Sequence, residues 1–228
     1  MTSFTLPVDP WIKFTATTVG RDKLYRTVQY TSKFLAFYMQ QQDKDLTERL
    51  TKLSNAVGLA RKLFRVGKPI DFIQTMLKSL AIKDDVIRIC AMGRSAFLAG
   101  WLSLDVLQWL NAHGIVKFDQ IKSINTHAAR CWFIGLLFAV TADLYRLRNN
   151  MQRIEVLEKA KSTEDALKKE LATLKKEQSK ILLETVQDGL DLIIPGSILE
   201  YFKVDQGVVG LAGTITSLIG FQAAWPKS

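Results

Sequence analysis

Apolar residues recur between positions 46 and 64 at alternating steps of four and three. This spacing places them on one face of an α-helix. Basic side chains flank the face, and Glu48 is the only acidic residue from Leu46 to Pro69. An apolar face with basic flanks suits an anionic phospholipid surface. The predicted membrane-binding face is Leu46, Leu50, Leu53, Val57, Ala60 and Phe64, and the predicted anionic-lipid-binding residues are Lys52, Arg61, Lys62, Arg65 and Lys68.

The surrounding residues predict further amphipathic helices, and we expect residues 1–85 to form a cytosolic region of such helices. Gly20 is expected to separate a first short helix from a second, core-facing helix that Asp22 would cap. Gly67 followed by Pro69 predicts the end of the central helix. A further short helix follows, with apolar residues Ile70, Ile73, Leu77 and Leu80.

Residues 86–145 contain apolar helices that are expected to be membrane-embedded or interfacial, and the run 86–110 is apolar nearly all round. The cleanest runs, 95–110 and 131–142, are shorter than the roughly 20 residues that a perpendicular span needs. Residues 146–180 are rich in charge and predict a solvated helical hairpin. Residues 181–194 return to an apolar character, and the following Pro-Gly pair predicts the end of that helix.

The apolar C-terminal region, 181–228, contains the best candidate for a transmembrane helix, at about 207–225. These nineteen residues carry no formal charge and end in Trp225, a residue type suited to the membrane interface. Small residues at steps of three and four predict a seam along which two helices approach closely. The predicted helix-packing seam is Gly210, Gly213, Ser217, Gly220 and Ala224. A soluble core helix is the alternative.

Composition narrows the class of protein. The 228 residues are 48% hydrophobic and 23% charged, which is too charged for a polytopic transporter and too apolar for a disordered chain. Few runs alternate with a period of two, so we predict an all-α fold: a membrane-associated helical bundle with N-terminal amphipathic helices and a C-terminal transmembrane helix. The formal charge is +9, and residues 1–70 hold twelve Lys/Arg against five Asp/Glu. Because the cations border an apolar face, an anionic membrane surface is favoured over nucleic acid.

The chain offers no constellation for catalysis. His113 and His127 are isolated, and neither a phosphate-binding glycine loop nor a nucleophile with a neighbouring base is evident. Cys90 and Cys131 lie in apolar runs and are interpreted as small core residues in a reducing compartment. We therefore expect a protein that is not an enzyme and that has no cofactor, metal site or nucleic-acid partner.

Two segments resemble the peroxin-eleven family of peroxisomal membrane proteins. Residues 21–35, RDKLYRTVQYTSKFL, look like the N-terminal tract of that family. Residues 60–70, ARKLFRVGKPI, look like its Arg-Lys-x-Phe-Arg-x-Gly-Lys block, which is the more specific of the two. The C-terminal apolar segment also lies where the family has one, so the resemblance covers the whole chain.

The resemblance implies location in the peroxisomal membrane and a role in elongation, proliferation and fission of peroxisomes. It implies insertion of an amphipathic helix into the cytosolic leaflet and self-association into a homo-oligomer. The partners that it implies are the phospholipid membrane, a dynamin-like fission GTPase with its tail-anchored adaptor, and the import receptor for peroxisomal membrane proteins.

Two other functions stay open at the level of sequence. A channel or pore for small metabolites is the first, because charged residues within apolar helices can line a water path. Those residues are Arg88, Arg94, Asp105, Arg130 and Asp143. An adaptor is the second, in which the apolar face of residues 46–64 docks in the groove of a partner protein.

Overall fold

The computed structural model describes residues 8–159 and 165–226 and confirms the all-α prediction. Within these residues the chain forms helices and no strand. The helices are α1 (Val8–Ala16), α2 (Thr18–Met39), α3 (Lys44–Phe64), α4 (Lys68–Ser79), α5 (Asp85–Ala112), α6 (Ile121–Lys159), α7 (Asp165–Ile198) and α8 (Gln206–Ala224).

The junction between α1 and α2 lies earlier than predicted. Thr17 is the N-cap of α2, and its hydroxyl accepts a hydrogen bond from the Gly20 N–H at 2.9 Å. The prediction that Asp22 caps this helix is therefore wrong. Asp22 lies inside α2, where its carboxylate faces α3. Thr17 and not Asp22 is the last residue with an extended backbone before the helix, the position from which a side chain can cap it.

The α3–α4 junction follows the prediction. Gly67 adopts φ of +89°, a left-handed conformation that favours glycine, and Pro69 lies in the first turn of α4. The two amphipathic helices are thus joined by a short turn, and both contact α5.

The C-terminal half consists of long helices. α6 runs through both the apolar run 131–142 and the charged residues up to Lys159, and α7 packs against it. The turn of the predicted hairpin, 160–164, lies outside the described residues. α7 continues through Pro195 to Ile198, so the predicted stop falls three residues too early. The ring removes one backbone hydrogen bond, and the end of the helix is closed by the N–H of Tyr201 bonding to the Gly196 carbonyl.

Two interhelical packings organise the molecule. α5, α6 and α7 lie side by side, and α8 packs along α2. A small core of Tyr30, Ile194 and Val209 joins α2, α7 and α8. Among the described helices, α6 and α8 are long and apolar enough to cross a membrane, which agrees with the predicted C-terminal span.

Candidate membrane surface and polar cavity

α3 packs on the bundle with a polar face. Its buried residues are Ser54 and Arg61. The Ser54 hydroxyl donates to the carbonyl oxygen of Gln29 at 3.0 Å, and the Arg61 guanidinium donates to Asp22 at 3.0 Å and to the Gln29 side chain at 2.7 Å. Because hydrogen bonds and an ion pair hold this face to α2, the apolar face of α3 is left at the edge of the packed region.

The predicted membrane-binding face divides into an outer and an inner row. Leu46 and Leu53 are 36% and 44% exposed, and Ala60 is exposed beside them. The inner row is half-buried, and its Phe64 ring stacks on Tyr25 with the centroids 5.6 Å apart. The other two half-buried residues are Leu50 and Val57.

Three of the five predicted lipid-binding cations lie in ion pairs with other helices of the chain. Arg61 pairs with Asp22, while Lys62 and Arg65 both reach Asp105 of α5 at 2.9 Å. Burial alone would raise the pKa of Asp22, but the charge and hydrogen bond of Arg61, together with the charges of Arg65 and Lys23, outweigh burial and lower it, so this carboxylate stays ionised at neutral pH.

The other two predicted cations are placed differently. Lys52 is exposed and pairs with Glu48 one turn away, a contact of little energetic weight. Lys68 is half-buried at the start of α4. Of the five, these two can reach an anionic surface without breaking an ion pair between helices.

The predicted site omitted a strongly exposed apolar face on and just after α4. α4 turns four large aliphatic side chains outward, each between 47% and 71% exposed. Leu63, at the end of α3, and Val66, in the turn before α4, are also about half exposed. The signal was present in the sequence as steps of three and four, but a helix of twelve residues gives a short pattern. The four residues are Ile70, Ile73 and Leu77 of α4 and Leu80 at its C-cap.

The small residues of α8 lie against α2 of the same chain. A Cβ added at Gly210 would come within 2.7 Å of the Phe34 backbone nitrogen, and one at Gly213 within 2.2 Å of the Tyr30 ring. Further along the seam, Gly220 faces the Lys23 side chain, Ser217 is fully buried, and Ala224 is half-buried. The seam therefore brings two helices of one chain into backbone contact.

A buried arginine joins the helices at this contact. Arg26 of α2 donates to Asp191 of α7 at 2.6 Å and to the Thr216 hydroxyl of α8 at 3.1 Å. Spacing along the chain gives no sign of this contact, because the partners lie 165 and 190 residues away.

The five charged residues considered for a channel do not gather in one place. Arg94 and Asp105 line a cavity of about 620 Å³ between α2, α3, α5, α6 and α7. Arg88 pairs with Asp85 at the start of α5, Arg130 is exposed, and Asp143 is buried beside Arg146. Within residues 8–159 and 165–226, no three His, Cys, Asp or Glu side chains are grouped as metal ligands.

Comparison with known proteins identifies the family. The family model for peroxisomal biogenesis factor 11 (PEX11) matches residues 8–225. Peroxisomal biogenesis factor 11 of Schizosaccharomyces pombe is 28% identical over 90% of both chains. Peroxisomal membrane protein 11A of Homo sapiens is 27% identical, over 96% of this chain and 98% of its own, and PMP27 of Saccharomyces cerevisiae is 29% identical, over 96% and 94%.

No solved structure matches the chain. The family match spans nearly all the described helices, so the resemblance predicted from residues 21–35 and 60–70 is confirmed. The chain belongs to the PEX11 family of peroxisomal biogenesis factors and is a protein of the peroxisomal membrane.

Proposed function

We propose that this protein elongates the peroxisomal membrane by inserting the outer apolar surface of α3 and α4 into the cytosolic leaflet, as a step toward proliferation and fission. One observation carries the proposal. The polar face of α3 is bound to the bundle through Ser54 and Arg61, whereas the large aliphatic side chains of α3 and α4 point outward. A helix embedded in one leaflet adds area to that leaflet alone, so the bilayer bends toward it.

The energy available from this surface is substantial. Full burial of a large aliphatic side chain is favourable by about 1.5–3 kcal/mol, and these side chains are about half exposed. Each therefore contributes about 1 kcal/mol on entering the apolar part of the leaflet. Eight such residues together supply several kcal/mol per copy before any charge is counted. They are Leu46, Leu53, Leu63, Val66, Ile70, Ile73, Leu77 and Leu80.

Charge adds to this energy in two stages. Lys52 and Lys68 can approach anionic lipid directly, and a basic residue near such a surface contributes about 1 kcal/mol. Arg61, Lys62 and Arg65 can do so only after exchanging Asp22 and Asp105 for lipid phosphates. In this proposal the ion pairs hold α3 on the bundle while its outer face first enters lipid, and a sufficiently anionic membrane then exchanges them and releases the helix.

The proposal assigns each segment of the chain a place relative to the membrane. Of residues 1–85, α3 and α4 lie on the cytosolic side, whereas α2 packs along α8. Residues 86–145 are embedded or interfacial, 146–180 form the solvated hairpin, and 181–228 contain the span at α8. Many copies associate so that their small wedges add up. The resemblance supports recruitment of a dynamin-like GTPase and its tail-anchored adaptor, and delivery by the import receptor for peroxisomal membrane proteins.

The test uses the full chain reconstituted into vesicles of phosphatidylcholine and phosphatidylserine, so that the surface carries anionic lipid. Leu53→Glu and Ile73→Glu place a charge in the proposed apolar surface and should abolish tubulation seen by electron microscopy. The matched controls, Thr51→Glu and Gln74→Glu, add the same charge to exposed positions of the same helices and should leave tubulation intact. Equal tubulation by all four variants would refute insertion of this surface.

Vesicle flotation measures lipid binding, and it can therefore distinguish a lipid target of the α3–α4 surface from a protein partner. If the wild-type chain tubulates only when a second protein is added, and if Ile73→Glu removes binding to that protein without changing vesicle binding, then the α3–α4 surface is an adaptor site. The membrane-wedge proposal requires the opposite result, loss of tubulation in a purified system.

A further inference from the structure

The cavity between α2, α3, α5, α6 and α7 has an unusual balance of charge. Seven Lys or Arg side chains and three Asp side chains line it. Asp22, just outside the lining, neutralises Arg61. An excess of about three positive charges therefore surrounds one space, and the outward-facing apolar surface plays no part in it.

The uncompensated charges can be assigned to particular groups. Arg26 pairs with Asp191 and Arg94 pairs with Asp188, at 2.6 and 3.2 Å, so these cations are balanced. Lys62 and Arg65 share the single carboxylate of Asp105, which leaves one positive charge over.

Two lysines of α2 supply the rest. Among the described residues, no carboxylate lies within ion-pair distance of Lys23 or Lys33, although both ammonium groups are partly withdrawn from water. Burial, together with the charge of Arg26, lowers the pKa of Lys23, and burial lowers the pKa of Lys33. A bound anion would reverse both shifts by supplying the missing partner.

The size and chemistry of the space define its ligand. A volume of about 620 Å³ lies in the range of sites for small organic molecules and is far larger than one inorganic phosphate needs. Guanidinium groups match phosphate oxygens, and a phosphate monoester carries close to two negative charges at neutral pH. The indole rings of Trp101 and Trp132, stacked 4.6 Å apart, give the cavity an apolar wall for the organic part.

We propose that this cavity binds a phosphate-bearing organic anion, drawn either from a lipid headgroup or from solution. The exposed side chains of Asn55 and Asn125 lie at its rim, between α3 and α6, and mark the point of entry. Binding there would also draw Lys62 and Arg65 toward the ligand. The cavity shares Arg61, Lys62 and Arg65 with the second, electrostatic stage of the proposed function, but none of the eight aliphatic residues proposed for membrane insertion.

The experiment uses the full-length protein in an uncharged detergent. It is titrated with glycerol 3-phosphate and, separately, with dioctanoyl phosphatidic acid, while calorimetry and tryptophan fluorescence are followed. We expect saturable binding of one ligand per chain for at least one probe. Saturation by both indicates a soluble phosphomonoester, and saturation by the lipid alone indicates a headgroup.

Three variants make the result specific. Lys33→Gln should weaken binding at least tenfold, because it removes an unpaired cation of the cavity. Asp188→Asn should tighten binding severalfold, because it removes a negative charge from the same lining. Lys176→Gln is the matched control, an exposed lysine of α7 remote from the cavity lining, and should leave the affinity unchanged.

Three results would overturn the proposal. One is the absence of saturable binding by either probe in a protein whose helix content is normal by circular dichroism. Another is equal weakening by Lys33→Gln and Lys176→Gln, which would indicate attraction by the general surface charge. The last is weaker binding by Asp188→Asn. Because these variants leave the α3–α4 surface intact, tubulation should continue in all of them, and the two proposals fail independently.

Discussion

The contact between α8 and α2 makes a quantitative prediction at Gly210. In Gly210→Ala the new methyl group would lie 2.7 Å from the Phe34 backbone nitrogen and 2.8 Å from its Cα. Backbone atoms cannot rotate away as the end of a side chain can, so the two helices must separate. Gly189→Ala is the matched control, because Gly189 lies inside α7 and a Cβ there meets nothing within 4 Å.

The two substitutions should act in opposite directions. Replacing a helical Gly by Ala is worth about 0.5–1 kcal/mol of stability when space is free, and this is the expectation for Gly189→Ala. At Gly210 the same gain is offset by an overpacking cost of about 1–3 kcal/mol, which leaves a net loss of about 1 kcal/mol. The free energies of unfolding of the two variants should therefore differ by about 2 kcal/mol.

Thermal unfolding of the purified protein in detergent, followed by circular dichroism, measures this difference. About 2–4 °C per kcal/mol is typical for a chain of this size, so the midpoints should be separated by about 4–8 °C, with the wild type between them. A midpoint raised equally by both substitutions would show that α8 does not approach α2 at this position, and the assignment of the small-residue seam to a contact within one chain would be wrong.

Three further outcomes test the buried charges. Arg26→Met should lower the free energy of unfolding by about 3–5 kcal/mol in chemical denaturation, because it leaves a buried carboxylate unpaired, whereas Arg49→Met at an exposed pair should cost less than about 1 kcal/mol. Burial raises the pKa of Asp188 to about 6 from 3.8, so the folded chain binds this proton more tightly than the unfolded chain. Stability should therefore fall by about 3 kcal/mol as the pH rises from about 4 through about 6, and Asp188→Asn should remove that slope in denaturation curves. Asp105→Asn should release its two cationic partners and strengthen flotation with anionic vesicles, and unchanged flotation would argue against the ion pairs as a restraint on α3.

The helices were largely predictable because their signals are local. The four-and-three spacing of residues 46–64 and the glycine-proline turn at 67–69 place α3 and α4 to within two or three residues of their observed bounds. Tertiary pairing was not predictable in the same way. Asp22 looked like a helix cap by its position, and only the approach of Arg61, 39 residues away, gives it its role. A proline similarly ends most helices, yet α7 continues for three residues beyond Pro195.

The candidate site shows why periodicity identified a face but not its direction. An amphipathic helix of a soluble bundle buries its apolar face, and by that rule Leu53 would be in the core and Arg61 in water. The structure has the reverse arrangement, with Leu53 44% exposed and Arg61 buried against Asp22. Burying an ion pair while leaving aliphatic side chains in water is unfavourable for a chain surrounded only by solvent. The arrangement becomes favourable when the solvent on that side is lipid, because the exposed apolar surface is then transferred at a gain and the ion pairs remain within the protein. The orientation of α3 is therefore a stronger argument for a membrane than its amphipathic pattern, which fits a protein core equally well.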